Sequence, residues 1–169
     1  MKRGTLTLVF LLFVSFTFSQ NQQNICKCCT AIHKQFDFWE GEWVVTNPDS
    51  SVAGTNTITK IQNGCILEEN WISNTPDYTG TSRNFYNAKT KQWEQIWIDN
   101  QGGSLHLKGN RIANQMILRT DDEINKNGDT FYHQVTWTKN EDGTVRQLWE
   151  TFTKGKPVAI AFDGIYKRK

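Results

Sequence analysis

From residue 40 to the C-terminus, apolar and polar side chains alternate with a period of two, the mark of strands with one drier and one wetter face. In 65–72, Cys65, Leu67, Glu69 and Trp71 oppose Ile66, Glu68, Asn70 and Ile72; in 91–99, Trp93, Gln95, Trp97 and Asp99 oppose Gln92, Glu94, Ile96 and Ile98. Phe131, His133, Val135 and Trp137 likewise share one face of 130–139, and Val145, Gln147 and Trp149 one face of 144–153. Turn chemistry separates the segments: Asn47-Pro48-Asp49, Asn63-Gly64, Thr75-Pro76-Asp77, Asn87-Ala88-Lys89, Asn100 to Gly103, Lys108-Gly109-Asn110, Asn127-Gly128-Asp129, Glu141-Asp142-Gly143 and Lys154 to Pro157. The pattern predicts about ten strands, at 40–47, 52–61, 65–73, 79–87, 91–99, 103–108, 111–120, 130–139, 144–153 and 157–168. Connections this short require antiparallel neighbours, because a parallel crossover takes a dozen or more residues. An up-and-down sheet that closes on itself leaves no exposed edge, so the reading is all-β, an antiparallel barrel of about ten strands, with a two-sheet sandwich as the alternative.

Composition supports that reading. Seven Trp, ten Phe and four Tyr make the apolar content aromatic, which suits sheets better than helices. At 169 residues the chain is long enough for one domain with a substantial core. Before the strands come two different segments. Met1-Lys2-Arg3 followed by the apolar run Leu6 to Phe18 has the layout of a secretory signal peptide, with cleavage expected after Ser19. The expected organisation is therefore a signal peptide over 1–19, a Cys-containing lead-in over 20–35 and a single barrel domain over 36–169, whose first residues, Phe36 to Trp39, form a short plug.

Charge narrows the partners. Removing residues 1–19 takes away two basic residues and no acidic ones, leaving 17 of each sign. Such a balanced chain lacks the basic footprint of a nucleic-acid binder, and no cysteine directly follows the apolar run to carry a lipid anchor. The expected location is exported, periplasmic or secreted; no stable membrane anchor is expected, and oligomeric state is left open. Export makes disulfides the first reading of Cys26, Cys28, Cys29 and Cys65, with one bond from the lead-in to Cys65 and the vicinal pair Cys28–Cys29 the least suitable bridge. A soft metal site built from the same thiolates and His33 is the competing reading.

The drier faces are not wholly apolar. Each places Gln, Glu, Asp or His among its rings, which is what a small-molecule pocket needs: rings for area and a few polar groups for orientation. A filled interior whose polar groups satisfy one another is the structural alternative. Neighbouring Glu68 and Glu69 point to opposite faces and cannot act jointly, while Asp121, Asp122 and Glu123 read as solvated. Glu69 or Asp99 alone would serve as acid or base if burial raised its pKa. His133 is the candidate for a haem or metal ligand, against the plainer reading of a hydrogen-bonded core residue; His106 reads as exposed. The sequence has no nucleophile elbow, phosphate-binding loop, dinucleotide fingerprint or zinc-protease motif. An enzyme is thus the lesser reading, no cofactor is predicted, and the catalytic residues of any enzyme are not identified.

Phe36-Asp-Phe-Trp-Glu-Gly-Glu-Trp43, Gly64-Cys-Ile-Leu-Glu-Glu-Asn-Trp71, Gly80-x-Ser82-x-Asn84-x-Tyr86, Trp93-x-Gln95-x-Trp97-x-Asp99 and Asp142-Gly-x-Val-Arg-Gln-Leu-Trp-Glu150 together resemble the bacterial domain-of-unknown-function family 1579, over nearly all of 36–168. That family carries no established activity to transfer. Gly41-x-Trp43 at the head of the first strand is distantly similar to the lipocalin and calycin signature. The similarity implies a structural role for Gly41, Trp43 and Arg168, with the Trp closing the barrel floor under a basic residue from the last strand; Arg146 is the second choice for that residue. A haem site would make the chain similar to nitrobindin-like barrels. The family-like spacing puts Ser82, Asn84 and Tyr86 on one face, and the expected ligand-binding set becomes Glu69, Trp71, Ser82, Asn84, Tyr86, Gln95, Trp97, Asp99, His133, Gln147 and Trp149 around a small amphipathic or hydrophobic molecule.

Overall fold

A computed structural model describes residues 26–169; the expected signal peptide, with its cleavage site, lies outside the described residues. Eleven strands follow two short 3-10 turns: β1 (Gly41–Thr46), β2 (Val52–Ile61), β3 (Ile66–Ser73), β4 (Thr79–Asn87), β5 (Gln92–Asp99), β6 (Ser104–Ile112), β7 (Gln115–Arg119), β8 (Glu123–Ile124), β9 (Thr130–Lys139), β10 (Val145–Thr153) and β11 (Lys156–Arg168). Sequential antiparallel pairing runs from β1 to β7, then β7 pairs β9, β9 pairs β10, β10 pairs β11 and β11 pairs β1. Ten strands therefore close into a lipocalin-like barrel, and the two-residue β8 lies on the end of β9 outside the ring.

Two details depart from the sequence pattern. Lys108-Gly109-Asn110 is not a turn: β6 runs straight through it, and the chain reverses at Ala113 and Asn114, with Ala113 at φ 52°. Gly109 is there for clearance, since a Cβ would collide with the carbonyl oxygen of Ile117 on β7. The other departure is β8, too short to carry a period.

The faces fall as the alternation requires. Trp43, Val45, Ile58, Leu67, Trp93, Leu107, Met116, Leu118, Val135, Trp137, Val145 and Tyr166 are buried inside the barrel with the plug residues Phe36 and Trp39. Phe36 stacks on Trp39 at 5.0 Å between ring centres and meets Trp93 and Trp137 edge-on, so one end of the barrel is closed by aromatic packing. Trp43 donates its indole N–H to the carbonyl of Trp39 at 2.9 Å, and the Arg168 guanidinium lies 4.4 Å above its ring. Gly41 passes directly under that guanidinium, where a Cβ would displace it, and its φ of 140° is one that L side chains rarely adopt. Arg146, the second choice, instead pairs with Asp163 at 2.7 Å.

The cysteines form Cys26–Cys29 and Cys28–Cys65, and no free cysteine remains among the described residues. The second bond ties the lead-in to the start of β3, as the sequence reading favoured, and both indicate an oxidising, export-type environment. Replacing Cys28 and Cys65 together with serine is expected to lower stability by roughly 2 kcal/mol, the lower end for natural bridges because the released lead-in can fray without opening the barrel. Urea unfolding of the double variant against the parent checks this; coincident curves would show that the plug alone anchors the segment.

Candidate functional site

The end opposite the plug is open. A cavity of ≈ 570 Å³ enters between the β1–β2 and β3–β4 loops and reaches down to Glu69, Gln95, Leu107, Val135 and Tyr166. Its walls carry six aromatic side chains: Trp71, Tyr78, Trp97, Trp149, Phe162 and Tyr166. Glycines make space for three of these rings. A Cβ at Gly54 would lie 2.7 Å from the Trp71 ring and one at Gly164 would lie 2.6 Å from Phe162, while one at Gly80 would collide with Trp97. Small residues on neighbouring positions of the wall thus set how far each ring can lie back, and so shape the cavity.

A polar layer separates this cavity from the aromatic plug. Ser82 on β4 is the direct cross-strand partner of Glu69 on β3, and Asn56 on β2 stands two residues along from its other partner, Ile58, on the same face. The Asn56 amide donates to Glu69 Oε1 at 2.7 Å and the Ser82 hydroxyl to Oε2 at 2.6 Å, with the Gln95 amide at 3.5 Å from the same oxygen. Asn84 holds Ser82 in turn, donating to its Oγ at 2.8 Å and to the Leu67 carbonyl at 3.1 Å. On the other side, Asn56 also donates to the Tyr166 hydroxyl at 3.2 Å, and Tyr166 donates to Gln147 Oε1. Burial pushes the Glu69 carboxyl up to about 7, even though its hydrogen bonds from Ser82 and Asn56 pull the other way. Burial also raises the Tyr166 phenol well above its ordinary value, and the neighbouring Glu69 charge adds to this. No ion pair among the described residues includes Glu69: Arg83, on the neighbouring strand, pairs with Glu68 on the outer face.

Of the sequence-derived set, Glu69, Trp71, Gln95, Trp97, Gln147 and Trp149 line the cavity. Ser82 and Asn84 face inward but stand behind Glu69 as its supports rather than on the cavity wall. Tyr86 sits toward the closed end, edge-on to Trp93 and His33. Asp99 turns to the rim, where it accepts from the backbone N–H of Gly103 at 2.8 Å and the Tyr78 hydroxyl at 3.2 Å, binding the β5–β6 hairpin together. His133 does not line the cavity; its Nδ1 lies 3.1 Å from the Thr151 hydroxyl, and its ring meets Phe131 and Trp149 edge-on. That placement fits a haem ligand poorly, because the imidazole is engaged by Thr151 and packed behind Trp149 rather than presented to the cavity. No group of three or more potential metal ligands occurs among the described residues either. His106 is exposed, as expected, and bonds to the buried Glu94 at 2.9 Å on the outer surface.

Asn56, Tyr78, Leu105, Phe162 and Tyr166 belong to the site and were not singled out from the sequence. Asn56 stands between Gly54 and Ile58 on the inward face of β2, and Phe162-x-Gly164-x-Tyr166-x-Arg168 is a clean inward alternation. Both signals are present in the pattern. Their meeting with Glu69 depends on register, which the pattern does not carry.

No protein-family model matches the chain, and no curated protein matches it.

Proposed function

We propose that the protein is an exported, periplasmic or secreted, member of the bacterial domain-of-unknown-function family 1579 that binds a small amphipathic molecule in the open end of its barrel. The carrying observation is the cavity itself, within the size range of small-molecule sites and built from aromatic walls over a polar floor. Two features favour a ligand over a filled interior. The cavity is large and open rather than filled by side chains, and Glu69 on its floor is buried without a counter-charge. A ligand-free barrel gains nothing in stability from either, and binding sites are where such costs persist. Among the described residues no helix is long and apolar enough to cross a membrane.

An environment-sensitive apolar dye, N-phenyl-1-naphthylamine, tests this. It is expected to brighten on binding, and Leu105→Trp, which adds bulk beside Trp97 within the cavity, is expected to weaken that binding at least tenfold with little change in the unfolding midpoint. Equal binding by the folded variant would move the dye elsewhere and remove the cavity from the account.

A second reading is favoured by one observation: a carboxyl brought to about 7 beside an open cavity is suited to acid–base chemistry at neutral pH. The cavity offers Glu69 no second titratable partner other than the phenols of Tyr78 and Tyr166. Binding is therefore placed first.

A further inference from the structure

We infer that the cavity is a site for an organic cation, a protonated amine on an apolar ring-sized body, with its ammonium directed at Glu69 and its body among the indoles. This rests on the reading of the cavity as a ligand site and names the chemistry it selects. The lining contains one carboxylate and no lysine, arginine or histidine. Its other titratable groups are the phenols of Tyr78 and Tyr166, both raised by burial and hence neutral. The only formal charge the protein can place on the wall is negative.

The surroundings of that charge are those that favour cations. Six aromatic side chains enclose the space, and indole and phenol rings attract an ammonium electrostatically by up to about 2 kcal/mol or more once it is desolvated. A ligand that carries positive charge supplies the partner that Glu69, the one carboxylate on the lining, lacks. An anionic headgroup would face Glu69 with no compensating base, and a neutral lipid would leave the carboxylate buried and unpaired.

Three probes with one phenylalkyl body and different heads separate these cases: phenethylammonium, 2-phenylethanol and 3-phenylpropanoate, each displacing N-phenyl-1-naphthylamine from the intact protein at pH 8. The expected order is cation first by at least tenfold, then the alcohol, then the acid. Glu69→Gln, which removes the charge while keeping the shape, is expected to bring the cation and the alcohol within threefold of one another. Equal or tighter binding of the alcohol or acid by the parent protein would overturn the inference and leave the binding cavity standing, as would displacement by none of the three from a protein that still binds the dye. Failure to bind the dye at all would overturn both.

Discussion

Trp43→Ala is expected to lower the stability of the barrel by about 4 kcal/mol, within the range for deleting a large buried aromatic side chain. Trp43 is fully buried, meets Tyr166 edge-on at 6.0 Å, and is held by its bond to Trp39 and by Arg168 across its outer face. Its removal opens a void between plug and sheet, loses the indole hydrogen bond and strips the cation–π partner from Arg168. Because Trp43 does not touch the cavity, the relative affinities of the three phenylalkyl probes should be unchanged in whatever fraction remains folded. Urea unfolding gives the first quantity and dye displacement below the transition gives the second. Arg168→Ala, which removes the guanidinium above the ring together with its aliphatic stem, should cost about 1 kcal/mol. A Trp43→Ala protein of ordinary stability with altered probe preference would reverse the roles of floor and cavity.

The ligand-free protein is expected to lose about 3 kcal/mol of stability relative to Glu69→Gln between pH 4 and pH 8. The sign follows from where the proton sits. Burial raises the folded-state value of Glu69 from 4.5 to about 7, so the folded protein holds a proton that the unfolded chain has already released. The stability this confers is fully present below about pH 4.5 and is lost as pH rises through about 7, at about 1.4 kcal/mol for each pH unit between the two values. Other carboxylates behave oppositely: Asp163, lowered by its hydrogen bond to Arg146, favours the fold once ionised. The comparison with Glu69→Gln cancels those groups, since both proteins carry them. The variant keeps the side chain's size and an acceptor for Asn56 but replaces the oxygen that accepts from Ser82, a pH-independent cost that the comparison across pH separates from the titration. Unfolding free energies of both proteins across this pH range test the point, and parallel curves would show that Glu69 is not held protonated. A bound cation should flatten the difference, because its charge favours the ionised carboxylate.

Stability and chemistry thus lie at opposite ends of one tube. Phe36, Trp39, Trp43, Trp93 and Trp137 close one end by packing, and the Glu69 layer marks where packing gives way to an open space. Above neutral pH, ionisation of the buried Glu69 costs the ligand-free protein stability. Its presence in a site with no base is the physical argument that something other than the fold uses its charge.

Much of this was legible beforehand. Period-two alternation needs only the local chain, so the inward faces of β3, β5, β9 and β10 could be read residue by residue, and short connections force antiparallel neighbours whatever the rest does. Gly41 and Trp43 could be assigned through the similarity of Gly41-x-Trp43 to the lipocalin signature, a motif contained in the head of one strand. The turn at Lys108 to Asn110 misled, since a glycine that gives clearance to a neighbouring strand looks the same in sequence as one that turns the chain.

What the sequence by itself determined, then, is the architecture and the list of side chains that point inward. Only the tertiary structure decided how far along the axis each one sits. Ser82, Asp99 and His133 all lie on inward faces, yet one supports Glu69, one binds the rim and one packs against its strand neighbours. Closure of the ring through β11 and β1 brings Tyr166 within reach of Asn56, 110 residues away in sequence. Facing is a local property of a strand with period two, whereas height in a barrel is set by register and stagger summed around the ring, and a charge becomes a binding feature only at the height where the interior is open.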